Sequence, residues 1–281
     1  SLRTPARRAS AELRDLFVAD VERKYPNGVK VGGASRIRKL TVTYRAASGT
    51  FETDVLPKSL GLPDITGLAE PLGTARAILD ECTNRLDAYS RDLGKSPGLE
   101  PTLAILGKLP LEIRLDRVAE LPGDPLGTLR SLATVGEPIP VHELGERVGL
   151  PGRGTIDKGR LREWSTLLAR LGFGLTCDPT WALRTAKAET PTVVFALPGP
   201  RDDPPAAGEG YRHAQITLAL AMMVALADGT IDPAEQRALF ALIGRLEGVT
   251  DDERGRLTAE MRAQAADPHA LSDLRSRLKA L

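Results

Sequence analysis

The chain has 281 residues, 42% hydrophobic and 27% charged, an ordinary balance for a globular protein with a real core and room for two domains or three small ones. No run of about 18 apolar residues is present, which excludes a membrane-spanning helix, and two cysteines, Cys82 and Cys177, exclude a disulfide framework in a chain of this length. Net charge is +1, so the whole chain gives no polyanion signal, although residues 1–50 carry eleven basic side chains against four acids.

Both thiols read as buried small hydrophobes of a reducing compartment. No secretory leader is visible, so a cytoplasmic location is expected. The start at Ser1-Leu2-Arg3, without Met, reads as that of an excised fragment. Aromatics are 4% of the chain, so the core must be built from Leu, Ala, Val and Ile, which suits packed helices.

In chain order, Thr4-Pro5 is a helix start. Leu13, Leu16, Phe17, Val21 and Tyr25 follow at helical spacing, and Pro26-Asn27-Gly28 ends the element. Apolar Leu40, Val42 and Tyr44 alternate with Thr41 and Thr43, so Lys39 to Arg45 reads as a strand, with Val29 to Val31 as its partner. Pro63-Asp64 opens a long helical region, with an apolar stripe through Leu72, Ala75, Leu79, Cys82, Leu86, Tyr89 and Leu93. A break at Gly94 to Gly98 and a short helix near Thr102 to Gly107 follow. Leu109 to Arg114 reads as extended.

The middle region predicts a helix near Leu126 to Thr134, a second over Val141 to Val148, a glycine-rich loop from Gly149 to Gly159, and a third helix from Lys158 to Leu171. Phe173, Leu175 and Cys177 read as a strand whose partner is the β-branched run Thr192 to Leu197. Three helices followed by two strands is the order of a winged helix. Residues 198–210 hold four prolines and three glycines, the composition of a linker. Beyond it the chain reads as all helix. Ile216, Leu220, Met223, Val224 and Ala227 line one face, Asp228-Gly229-Thr230-Ile231 turns, and Asp232-Pro233-Ala234-Glu235 starts the next helix. Thr250-Asp251-Asp252-Glu253 starts a third and Asp267-Pro268 a fourth.

The segment 218–243, LALAMMVALADGTIDPAEQRALFALI, resembles the TerB domain of tellurite-resistance proteins: an apolar helix, Asp-Gly, an Ile, a capping residue, a Glu, and a second apolar helix. RTPARRASAELRDLF (3–17), LPDITGLAEPL (62–72), LARLGFGLTCDPTWA (168–182) and TVVFALPGP (192–200) resemble the central region of larger multidomain proteins of that family. On this resemblance the chain lacks the TerB-associated domains on either side, which then count among its partners with other proteins. The resemblance implies a stress-response or phage-defence scaffold with no catalytic activity, whose acidic residues bind a metal ion or a partner.

The fold expected is therefore mainly α: a helical region with a small β hairpin over 1–122, a winged-helix-like α+β segment over 123–198, a Pro/Gly linker over 199–210, and a TerB-like helical domain over 211–281. Asp228, Asp232 and Glu235 are the candidate metal ligands, since a turn between two helices gathers their carboxylates and hard oxygen donors suit Ca²⁺ or Mg²⁺. The same residues also read as caps alone, with Asp232 and Glu235 forming a capping box. The two readings are compatible.

An alternative is nucleic-acid binding, by Lys158, Arg160 and Arg162 on the third middle helix and by Arg36, Arg38 and Lys39 in the basic N-terminal region. His142, His213 and His269 have no partner at zinc-ligand spacing. The chain contains no Walker motif, no dinucleotide fingerprint on a βαβ unit and no nucleophile elbow.

Overall fold

The computed structural model describes residues 3–29, 40–55, 69–95, 97–98, 100–150, 155–227 and 230–267. The chain forms two compact units, Ser1–Ser96 and Pro97–Leu281. It is mainly helical, and no described helix is long and apolar enough to cross a membrane.

The first unit begins with α1 (Thr4–Arg8) and α2 (Ser10–Lys24). The single helix expected from Thr4-Pro5 onward is broken at Ala9, whose backbone (φ −118°, ψ 50°) leaves helical geometry. The hairpin of β1 (Leu40–Ala46) and β2 (Gly49–Val55) is antiparallel, with Ala46 opposite Gly49 across Ala47-Ser48. The partner of β1 is thus the run that follows it, reached by a two-residue turn. Val29 is in no strand, and residues 30–39 lie outside the described residues. The pair Tyr44–Phe51 stands side by side on this hairpin, 67% and 59% exposed.

The expected helix start at Pro63-Asp64 also lies outside the described residues. Next come α3 (Ala69–Arg85) and α4 (Asp87–Leu93). Leu13, Leu16, Cys82, Leu86 and Tyr89 are buried among these helices. Asp20, 6% exposed, lies in the same core. It accepts from Arg85 at 3.1 Å and from the Cys82 thiol at 3.3 Å, and it pairs with Arg23. Burial, reinforced by this carboxylate, pushes the Cys82 thiol up to about 12.

The second unit opens with α5 (Leu103–Leu106), α6 (Leu111–Ala119) and α7 (Pro125–Val135). The stretch from Leu109 to Arg114 is mostly the start of α6 and not extended chain. Pro110 precedes the first helical residue, and Ile113, Arg114 and Val118 form the buried face. Asp124 caps α7 through a bond from Gly127 N–H at 2.9 Å, and Gly136 ends it in the left-handed region, φ 65°.

β3 (Ile139–Pro140) leads into α8 (Val141–Val148), and Asp157 caps α9 (Lys158–Arg170). Gly145 lets the two helices approach, because a Cβ there would lie 2.5 Å from the Trp164 ring. The strands β4 (Phe173–Leu175), β5 (Pro191–Thr192) and β6 (Val194–Ala196) complete the module. β5 pairs with β3 and β6 with β4, so successive stretches of residues 191–196 pair with two different strands.

The remaining helices are α10 (Glu209–Ala225), α11 (Pro233–Arg245) and α12 (Asp251–Ala265). They enclose Tyr211, Leu218, Met222, Leu239, Ile243 and Leu257. The face of α10 that enters this core is Tyr211, Ala214, Leu218, Met222 and Ala225. The face expected from the sequence, Ile216 to Ala227, looks outward: Leu220, Met223 and Val224 are 45%, 42% and 78% exposed. The residues expected to start a fourth helix are described only as far as Asp267.

The Pro/Gly segment is anchored near its start. Arg201 donates its backbone N–H to Ala169 O at 2.8 Å and its side chain pairs with Asp252 at 2.7 Å. Asp202 accepts at 2.6 Å from Arg114, whose side chain is 3% exposed and which also donates to the carbonyls of Leu109 and Arg170. Residues 199–210 run inside the second unit.

Candidate functional site

Asp232 and Glu235 sit at the start of α11, where they form a capping box. Asp232 Oδ1 accepts from Ala234 N–H at 2.6 Å and Glu235 N–H at 2.8 Å. Glu235 Oε2 accepts from Asp232 N–H at 3.0 Å. Each carboxylate thereby uses one oxygen for the backbone, and among the described residues its other oxygen accepts no hydrogen bond. Asp228 lies outside the described residues, so the three-residue set is seen only in part. Among the described residues no group of three His, Cys, Asp or Glu side chains converges on one point. Carboxylate oxygens are hard donors of the kind that Mg²⁺ and Ca²⁺ take.

On α9, Lys158 and Arg162 are exposed and Arg160 is half-buried. Leu161, Trp164, Ser165 and Leu168 face the core, which leaves a narrow outward strip that Glu163 shares with the basic residues. Arg36, Arg38 and Lys39 lie outside the described residues.

The densest polar cluster was not among the residues singled out from the sequence. It forms where α10 and α12 meet the loop joining β4 to β5. Glu260 on α12 is 4% exposed. Its Oε1 accepts from the Tyr211 hydroxyl at 2.6 Å, and both of its oxygens accept from Gln215 Nε2, at 3.0 and 2.8 Å. Gln215 Nε2 also donates to Trp181 O at 3.0 Å. Arg212 donates to Trp181 O at 2.6 Å, to Thr180 O at 2.7 Å and to Gln215 Oε1 at 3.1 Å.

One turn before Glu260, Arg256 places its guanidinium 4.4 Å from the Trp181 ring centroid and 4.9 Å from that of Phe195. It donates to Leu175 O at 3.0 Å. Trp181 meets Tyr211 edge to face at 4.8 Å.

Burial raises the Glu260 carboxyl above the ordinary carboxylate range, against the opposing pull of Tyr211, Gln215 and the two arginines. It raises the Tyr211 hydroxyl as well, and the adjacent carboxylate adds to that shift. Cys177 in the same loop is pushed up to about 11 by burial. The signal available in the sequence was polar spacing: Tyr211 and Gln215 are four apart, as are Arg256, Glu260 and Gln264, so each set lies along one helix face.

Comparison with protein-family models, with curated proteins and with solved structures returns no match for this chain.

Proposed function

We propose that the protein is a non-catalytic, TerB-like scaffold of stress response or phage defence. In this reading the α10–α12 helices offer a docking face to a partner protein, and the turn before α11 binds a divalent metal. The outward face of α10 is the observation that supports it most directly. Leu220, Met223 and Val224 recur at the spacing of one helix face on a helix whose opposite face is already filled, and a contiguous exposed apolar stripe is a protein-interaction feature. The order α7, β3, α8, α9, β4, β5, β6, with β5 paired to β3 and β6 to β4, supports the winged-helix-like reading of residues 123–198.

A photo-crosslinker placed at position 224, with a control at exposed position 213, tests the docking face. A discrete adduct from position 224 alone supports the proposal; none, or the same adduct from both, refutes it. Calorimetric titration with Ca²⁺, Mg²⁺, Mn²⁺ and Zn²⁺ beside an Asp228→Ala/Asp232→Ala variant tests the metal. Heat that vanishes in the variant supports an ion at that turn, and no heat with any ion leaves Asp232 and Glu235 as caps.

A second reading, nucleic-acid association, is favoured by the exposed Tyr44–Phe51 pair, a stacking surface in the unit whose first fifty residues carry eleven basic side chains. DNA binding that falls steeply with salt and is lost on Tyr44→Ala/Phe51→Ala supports it. A titration with no salt slope rejects it.

A further inference from the structure

A chamber opens beside Glu260, independent of the docking face and of the α11 turn. Its volume is about 70 Å³, several times the 10–15 Å³ that one water needs. Glu260, Gln215, Gln264, Thr176 and Thr190 are among its polar lining, while Leu183, Pro191 and Ala263 are apolar lining. Arg184 and Asp267, which pair with each other, complete that wall.

Most donors facing this space are engaged: Arg184 pairs with Asp267. Gln215 Nε2 is committed to Trp181 O and Glu260. Thr176 Oγ1 is engaged with Thr192 and Val193 N–H, and Thr190 Oγ1 accepts from Lys187 N–H. Acceptors remain. Glu260 Oε2 takes one hydrogen bond, from Gln215. Gln264 Oε1 is buried and takes none. A buried acceptor without a donor costs about 1–3 kcal/mol, so the chamber suits an occupant that brings N–H groups.

We propose that this chamber binds a small organic cation, a primary ammonium or amidinium group on a short apolar tail, with the charged head between Glu260 and Gln264 and the tail against Leu183, Pro191 and Ala263. The cation supplies donors to both acceptors and holds the Glu260 carboxyl in its ionised form. A carboxyl that is protonated beforehand then gives up its proton to solvent as the cation binds. The raised affinity of Glu260 for its proton agrees with this coupling.

The full chain is titrated with n-butylammonium chloride and with acetamidinium chloride, followed through the side-chain amide resonances of Gln215 and Gln264. n-Butanol and potassium chloride serve as controls. Saturable shifts at millimolar cation are expected, the range open to so small a ligand. Glu260→Gln should weaken binding by roughly tenfold or more and abolish the buffer-dependent proton release seen by calorimetry. Gln264→Leu, at a half-buried helix position that tolerates an apolar residue, should also weaken the cation, and it serves as the second variant if Glu260→Gln unfolds. Equal binding of n-butanol, the same shifts with potassium alone, or no saturable shift with either cation overturns the proposal.

Discussion

Replacing Arg256 by Ala tests whether α10–α12 and the strand module are one cooperative body. Arg256 is 6% exposed, and its guanidinium donates to Leu175 O at 3.0 Å and lies near both the Trp181 and Phe195 rings. A charged hydrogen bond contributes about 1.5–3 kcal/mol. A desolvated cation–π contact contributes about 2 kcal/mol. These overlap because they share one group, so the loss should be about 3–5 kcal/mol, not the sum over every contact. With a urea m-value of about 2 kcal/mol/M, the midpoint should fall by about 2 M. Both tryptophans of the chain, Trp164 and Trp181, lie in the second unit, so their fluorescence follows that unit. Helical circular dichroism of residues 97–281 should follow the same curve. A loss below about 1 kcal/mol, or a helical transition that stays in place while fluorescence shifts, would show that the Pro/Gly segment separates two independently folding domains.

The raised Glu260 carboxyl fixes the sign of a pH effect. Its folded form holds the proton more tightly than its unfolded form, so the folded state binds more protons between the two titrations. Stability should therefore fall as pH rises above the unfolded carboxylate range, and level off once the folded carboxyl has ionised. Glu260→Gln should flatten that slope in denaturation curves across pH, and an unchanged slope would place its origin elsewhere.

Gly210→Ala puts a Cβ 2.3 Å from the Gly248 carbonyl oxygen, a backbone atom, and should cost about 1–3 kcal/mol. Gly244→Ala meets nothing within 4 Å and should stabilise α11 by up to about 1 kcal/mol; thermal melts that rank the two alike would contradict the packing. Cys82 and Cys177, buried and pushed up to about 12 and about 11, should react with a thiol reagent at mildly alkaline pH only as the chain unfolds. Rapid labelling of the native protein would be the contrary result.

Local chemistry made much of the helical framework legible. Asp157, Asp232 and Thr250 cap the helices that follow them, and Pro5, Pro125 and Pro233 stand in first turns. The extended run around Thr192 was visible because β-branched residues cluster there. Leu109 to Arg114 misled, because Leu109, Leu111 and Ile113 alternate as in a strand while Pro110 is in fact the residue before a helix. α10 misled differently. Nearly every position from Leu218 to Ala227 is apolar, so periodicity could not choose which of two apolar faces enters the core. Of the expected metal set, the cap residues Asp232 and Glu235 were legible as a capping box, a contact set within one turn of chain. The polar cluster around Glu260 joins residues some 30 to 80 positions apart, and no local pattern encodes such a meeting.

α12 shows why that cluster escapes a reading based on hydrophobic faces. Its buried residues include Arg256 and Glu260 as well as Leu257 and Met261, so its inward side is not its apolar side. The two buried side chains are tolerated because each has partners: Arg256 a carbonyl and two rings, Glu260 a hydroxyl and an amide. Burying charge in this way is a poor route to stability compared with apolar packing. What it adds is geometric restriction, because only one placement of α12 against the β4–β5 loop satisfies Trp181, Gln215, Arg256 and Glu260 together. Gln264 continues the same stripe one turn further and ends it on an acceptor without a donor. Among the described residues, Gln264 Oε1 is the buried acceptor of this face left without a donor, and that is where a donor-bearing ligand would complete the interface.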